Sequence, residues 1–170
     1  DFHLLADDQT VNAFALPGGQ IFITSALFRL LENEDQLAGV LGHEIGHVVG
    51  RHSNQQMAKS KLLSGIAQGA GVLLSDGQST GGMQMAQMLG QMMNMKYGRE
   101  DELESDKLGV KFLLQAGYDP EAMIGVMEIL AKAGGGKGQP EIMSTHPAPE
   151  NRIEFIREQI AKMQGERPTR

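Results

Sequence analysis

His43, Glu44 and His47 stand in the order His-Glu-x-x-His within Leu41-Gly42-His43-Glu44-Ile45-Gly46-His47-Val48-Val49-Gly50. On a helix, residues four apart lie only about 40° apart around the axis, so the two imidazoles point the same way. Two neutral imidazoles on one face can hold a Zn²⁺ ion at about 2.0–2.1 Å. Glu44, offset by about 100°, can reach a water on that ion without taking a ligand position. Zinc brings the pKa of such a water toward about 7, and a carboxylate can then accept its proton. The flanking Leu37, Val40, Leu41, Ile45, Val48 and Val49 make the helix apolar nearly all round, which predicts burial. Buried imidazoles and carboxylates need partners, and a metal supplies them.

A catalytic zinc usually has three protein ligands and one open position. One known spacing puts a third histidine six residues after the second, with a glycine between. Gly50 fits that pattern, but the position holds Ser53. His52 comes one residue early, and on a continuous helix it would lie about 140° from His47. It is therefore excluded as a ligand and expected to cap the helix end or form a surface hydrogen bond. The alternative source is a carboxylate from a later helix, and Arg99-Glu100-Asp101-Glu102-Leu103-Glu104-Ser105-Asp106 offers several. Glu102 and Asp106 share a face. One could bind the metal while the other accepts the ring N–H of a ligand histidine and fixes its tautomer. Glu100 and Glu104 remain alternatives, and a solvated helix start favoured by the dipole accounts for the cluster equally well.

The elements that must position these groups can be read from punctuation and periodicity. Residues 2–6, 11–16 and 20–23 are short apolar runs, the last two joined by Pro17-Gly18-Gly19, a tight-reversal signal. They predict a small antiparallel sheet or hairpin, whose edge could accept an extended peptide as an added strand. A short helix is expected over 25–31. Asn33 with Gln36 reads as a capping box opening the motif helix from about residue 34 to residue 50. Gly39, Gly42, Gly46 and Gly50 recur along it, and each costs the helix about 1 kcal/mol relative to alanine. Such a stripe suggests that another backbone packs very close. Further helices are expected over 57–74, over 100–115 with Gly117 as the stop, from Asp119-Pro120-Glu121 to the Gly134-Gly135-Gly136 run, and over 150–163. The apolar side of the 100–115 helix is read through Leu103, Val110 and Leu114. Ser144-Thr145-His146-Pro147 is read as loop. The glycine-rich stretch before Met83, Met85, Met88, Met92, Met93 and Met95 suggests a mobile, methionine-rich lid over 74–97. The whole is α+β, mainly helical, in a single domain over residues 1–170.

With 170 residues the chain is long enough for one real core and too short for two large domains. A net charge of −6 disfavours a nucleic-acid partner. The absence of cysteine removes disulfides, thiolate zinc sites and a thiol nucleophile. The longest uncharged run, 77–95, is full of Gly, Gln and Ser and makes a poor membrane span. No signal peptide is visible at Asp1-Phe2-His3.

Taken together the chain resembles the HtpX-, BepA- and CAAX-prenyl-protease-type zinc metallopeptidases, a branch of the gluzincins. Four features carry the likeness, and they span residues 12–152 in the family's order. They are Asn12-Ala13-Phe14-Ala15 with Pro17-Gly18-Gly19, the His43-Glu44-x-x-His47 helix, Glu102 with Asp106 as Glu-x-x-x-Asp, and Thr145-His146-Pro147 followed by Arg152. The resemblance implies a zincin-like fold with one Zn²⁺ per chain held by His43, His47 and Glu102. Glu44 would be the general base and Asp106 would orient a ligand histidine. Ser105 replaces the alanine common before that aspartate. His146 would either aid the oxyanion or plug the open zinc position, and Arg152 would anchor its loop or the substrate. The segment Asn12, Ala13 and Phe14 would align a substrate backbone. Several relatives are membrane-embedded. This sequence lacks their transmembrane helices and is similar to the bacterial periplasmic members, which act on unfolded or misassembled polypeptides. The implied activity is a zinc metalloendopeptidase in envelope protein quality control. A rival reading is a latent or non-cleaving zinc-bound, chaperone-like module, against which an intact Glu44 argues.

Overall fold

The computed structural model describes residues 1–59, 96–134, 140–147 and 151–165. Strands β1 (Phe2–Leu5), β2 (Ala13–Leu16) and β3 (Gln20–Thr24) come first. They are followed by α1 (Ser25–Phe28), α2 (Glu34–Val49), α3 (Arg99–Ala116), α4 (Ala122–Ala133), α5 (Glu141–Thr145) and α6 (Arg152–Gly165). Residues 52–59 are also helical. The rest of the helix expected over 57–74 lies outside the described residues. So does the expected lid over 74–97, apart from Lys96 and Tyr97.

The Pro17-Gly18-Gly19 reversal produces the expected hairpin, with β2 antiparallel to β3 and Ala13 opposite Ile23. The all-antiparallel sheet expected from the sequence needs correction at β1, which runs parallel to β3 with Phe2 opposite Ile21. The sheet order is β1-β3-β2. The chain reverses twice, but β3 inserts between the first two strands, so β1 meets a strand running its own way.

Asn33 caps α2 as expected, its Oδ1 accepting the Gln36 N–H at 2.9 Å, and Glu34 and Asp35 occupy the positive end of the helix. The return bond from Gln36 goes one residue further back, its Oε1 accepting the Glu32 N–H at 2.7 Å. Gly117 closes α3 in the left-handed conformation, with its N–H donated to the Leu113 carbonyl. Asp119 accepts the Glu121 N–H in a tight turn, and α4 proper starts at Ala122. One expected loop is a helix: α5 forms a single turn whose Ile142 is buried and donates its N–H to the Val11 carbonyl at 3.1 Å.

Two apolar clusters flank α2. One joins Ala13, Ile23, Leu27, Val40, Val126, Leu130 and Ile142. The other joins Val110, Leu113, Met123, Ile124, Ile156 and Ile160 from α3, α4 and α6. Gly42 and Gly46 of the glycine stripe serve the contact between α2 and α3. A Cβ on Gly46 would stand 2.8 Å from both Cα and O of Ser105, and one on Gly42 would meet Leu113 at 2.7 Å and the Gly109 backbone at 3.5 Å. Glycine on α2 thus lets two helix backbones approach closely enough for their polar side chains to meet.

Candidate metal centre and active site

The buried residues of α2 include all three of the His-Glu-x-x-His motif. Glu44 and His47 are 0 % exposed and His43 is 8 % exposed, whereas Leu37, Leu41 and Ile45 are half-buried and Val49 is open to solvent. The buried stripe on α3 is likewise polar at its start: Glu102, Ser105 and Asp106, then Gly109, Val110 and Leu113. This corrects the expected stripe through Leu103, Val110 and Leu114 by about one residue. Among the acids at the start of α3, Glu102 and Asp106 are buried while Glu100 and Glu104 face solvent.

Four donor atoms converge between the helices. His47 Nε2 lies 3.1 Å from His43 Nε2 and 3.4 Å from Glu102 Oε1. His146, at the end of α5, brings Nδ1 to 3.3 Å from His43 Nε2 and 3.0 Å from Glu102 Oε1. Ligand atoms at about 2.0–2.1 Å from a tetrahedral ion stand roughly 3.3–3.4 Å apart, so this spacing fits one zinc. Among the described residues, His43, His47, Glu102 and His146 could hold a metal ion, and all four are buried. The donor set, three imidazole nitrogens and a carboxylate oxygen, suits Zn²⁺.

A histidine that is to hold a metal must turn one lone pair toward it, and His43 is braced from behind. His43 Nδ1 donates to Asp106 Oδ1 at 2.9 Å, which turns Nε2 to the inner side, where a metal would displace the proton it carries. Arg152 in turn grips Asp106, with Nε donating to Oδ2 and Nη2 to Oδ1, both at 2.7 Å. Its Nη1 stands 2.8 Å from Glu102 Oε2 without a hydrogen-bond angle, so that contact is chiefly charge on charge. Glu44 differs from every other acid here. Both its oxygens are buried without a hydrogen bond among the described residues, and His146 Nε2 is 3.6 Å from Oε1. A buried carboxylate with free lone pairs is poised to accept a proton.

The electrostatics follow from burial and these contacts. Burial pushes His47 down to about 2, against a Glu102 hydrogen bond that pulls the other way. Burial would lower His43 too, but hydrogen bonds to Asp106 and Glu102 outweigh it and bring it up to about 10. Glu102 and Asp106 are held well below the usual carboxylate range: burial opposes this, and the histidines and Arg152 overcome it. Burial raises Tyr97 to about 12.

Asn12, Ala13 and Phe14 lie apart from this cluster. Asn12 and Ala13 are buried, the Asn12 N–H donating to Thr24 Oγ1 at 3.1 Å, and Phe14 stacks on Phe22 at 5.0 Å. β2 is nonetheless an edge strand packed on α2, and Leu16 and His47 line the same small cleft. A cavity of about 250 Å³ opens beside the cluster, bordered by His43, Glu44 and His146 and walled by Val40, Met123, Val126, Met127, Leu130 and Met143. One residue of the site escaped the sequence reading. Tyr97 stacks on the His47 ring at 3.9 Å and donates its N–H to the Thr145 carbonyl, tying α5 to the site. It stands at the end of the segment expected as a lid, whose composition is dominated by methionine, glutamine and glycine. His52 is 1 % exposed and contacts His47, which corrects the expected cap or surface bond.

Comparison with known proteins agrees with this geometry. The sequence profile of peptidase family M48 matches residues 1–160. The chain is 36% identical over 171 aligned residues to the Beta-barrel assembly-enhancing protease of Escherichia coli, covering 95% of this chain and 34% of that protein. It is 33% identical over 170 residues to the Mitochondrial metalloendopeptidase OMA1 of Schizosaccharomyces pombe, covering 99% of this chain and 49% of the relative. To the OMA1 of Arabidopsis thaliana it is 32% identical, over 90% of this chain and 30% of the relative. The chain thus spans about a third to a half of the length of these relatives. A profile match over nearly its whole length shows that the chain belongs to peptidase family M48.

Proposed function

We propose that this chain carries the catalytic centre of a zinc-dependent endopeptidase that hydrolyses peptide bonds in unfolded or misassembled polypeptides. The family is zinc-dependent, and the observation that carries the reading is the buried group of His43, His47, Glu102 and His146 beside an unpaired Glu44. Bound there, Zn²⁺ supplies a Lewis acid that polarises the scissile carbonyl and makes water a stronger acid. Glu44 takes a proton from the attacking water and returns it to the leaving amine. Asp106 keeps the His43 Nε2 lone pair turned inward, and Arg152 holds Asp106 in place. The outer edge of β2, with Asn12 just before it and Ala13 and Phe14 within it, aligns the substrate backbone. The 250 Å³ cavity receives a large apolar side chain of the substrate, since its walls are aliphatic and methionine.

One observation favours a latent state of the same enzyme. His146 Nδ1 sits among the other donors, and four protein donors leave a tetrahedral zinc no open position. His146 is therefore read as a plug that must withdraw before cleavage, rather than as an aid to the oxyanion. Among the described residues no helix is long and apolar enough to cross a membrane. The likeness to a beta-barrel assembly-enhancing protease supports an extracytoplasmic, periplasmic place in envelope protein quality control. The test is metal analysis together with cleavage of an unfolded protein, with and without a chelator. The expected result is one zinc per chain and chelator-sensitive cleavage. Cleavage that survives complete zinc removal would overturn the reading.

A further inference from the structure

His47 lacks what His43 has. The outer nitrogen of His43 donates to a carboxylate, but no acid stands behind His47 among the described residues. Its Nδ1 instead lies 2.9 Å from Nδ1 of His52. Helix α2 stops at Val49, and Arg51 takes a positive φ of 57°, uncommon for a residue with a side chain. This turn carries the His52 ring back under the end of α2, where it is 1 % exposed. Gly50 makes room for it: a Cβ there would stand 2.4 Å from His52 Nε2 and 2.6 Å from Cε1. A left-handed Arg51 and the missing Cβ of Gly50 thus both serve the placement of one imidazole. The ring's far side is held as well, with Nε2 at 3.4 Å from Glu104 Oε2.

Two ring nitrogens at 2.9 Å need one proton between them, and its side of origin follows from the cluster. His47 Nε2 faces His43 Nε2 and Glu102 Oε1, so a proton there would exclude a metal. The His47 proton therefore sits on Nδ1 and is donated to His52 Nδ1. His52 must then carry its own proton on Nε2, where Glu104 accepts it. Ser105 Oγ, at 3.5 Å from His52 Nδ1, is the more distant competitor for that lone pair. We infer that His52 is a positioning residue for zinc: through the relay Glu104, His52, His47 it fixes the tautomer and ring plane of His47, as Asp106 does for His43. This rests on His47 being a zinc ligand, as proposed above.

The test is the zinc affinity of the intact chain, measured against a chromophoric chelator, for the parent, His52→Leu and His52→Asn, with metal-free melting temperatures alongside. Losing an outer-shell partner of a ligand histidine typically weakens metal binding about 10–100-fold. His52→Leu is expected to show that loss, while His52→Asn, whose Oδ1 can take the place of Nδ1 as acceptor, retains most of the affinity. Parent-like affinity in His52→Leu, or an equal loss in both variants, would overturn the inference. If His52→Leu does not fold, ¹⁵N-histidine spectra of the zinc-loaded parent decide it. Protonation of His47 at Nδ1 and of His52 at Nε2 supports the relay, and a proton on His52 Nδ1 refutes it. A parent chain that binds no zinc would instead overturn the metal site itself, along with the inference built on it.

Discussion

Arg152 and Asp106 form a two-pronged ion pair with both groups buried, their N···O distances both 2.7 Å. The guanidinium is the counter-charge for two buried acids, since it also lies 2.8 Å from Glu102. Removing one member of such a pair leaves a charge stranded out of water, typically at a loss of about 3–5 kcal/mol. Arg152→Met should therefore lower the stability of the chain by several kcal/mol in urea unfolding. A change under about 1 kcal/mol would show that the acids are compensated elsewhere.

Gly46 tests the helix contact that brings the acids to the imidazoles. Its missing Cβ is matched by the Ser105 backbone at 2.8 Å, and backbone cannot yield as a flexible side chain can. Gly46→Ala should cost about 1–3 kcal/mol by overpacking, despite the better helix propensity of alanine. It should also weaken zinc binding by moving Glu102 away from His47. An unchanged or raised melting temperature with full zinc affinity would mean that the two helices have slack.

Much of this arrangement was legible in the sequence because it is carried by local signals. Asn33, the glycine stripe and Pro17-Gly18-Gly19 each act within a few residues, and each marks a real cap, a close approach or a turn. What escaped depends on distant contacts. β1 joins β3 in parallel because β3 is inserted between the first two strands, and nothing within residues 2–5 records that. The buried face of α3 is not marked by apolar periodicity, because Glu102, Ser105 and Asp106 are the buried residues at its start. Spacing alone continues α2 through His52 as one helix. The break rests on a left-handed Arg51, a conformation that residue type does not announce. His43, His47, Glu102 and His146 converge from three separate helical segments, and only the first two were joined by spacing alone.

Glu44 and Glu102 should separate chemistry from metal binding. Glu44 is fully buried with free oxygens, and glutamine matches it in shape but cannot take a proton. Glu44→Gln should keep zinc and lower cleavage of an unfolded substrate by at least about 10²–10⁴-fold, the usual contribution of a general base. Glu102→Ala removes an oxygen that stands 3.4 Å from His47 Nε2 and 3.0 Å from His146 Nδ1, so it should lose zinc affinity as well as activity. Full activity in the first variant would reject Glu44 as the base, and unchanged metal content in the second would mean that another group supplies the third ligand.

His146 decides between a plug and an oxyanion partner, because the two roles predict opposite signs. As a plug it competes with water and substrate for the position opposite His43, His47 and Glu102, and three ligands suffice to hold zinc without it. His146→Ala should therefore retain zinc and raise the cleavage rate of an unfolded protein under conditions where the parent is sluggish. As an oxyanion donor, its loss would reduce kcat by about 10²–10³-fold. The position of Nδ1, within 3.0–3.3 Å of Glu102 and His43 and 3.6 Å on its other nitrogen from Glu44, favours the first outcome. On the plug reading, a side chain so placed would cover the metal position and stand beside Glu44, so its removal should expose both. A fall in rate with zinc content unchanged would sink the plug and assign His146 to the transition state.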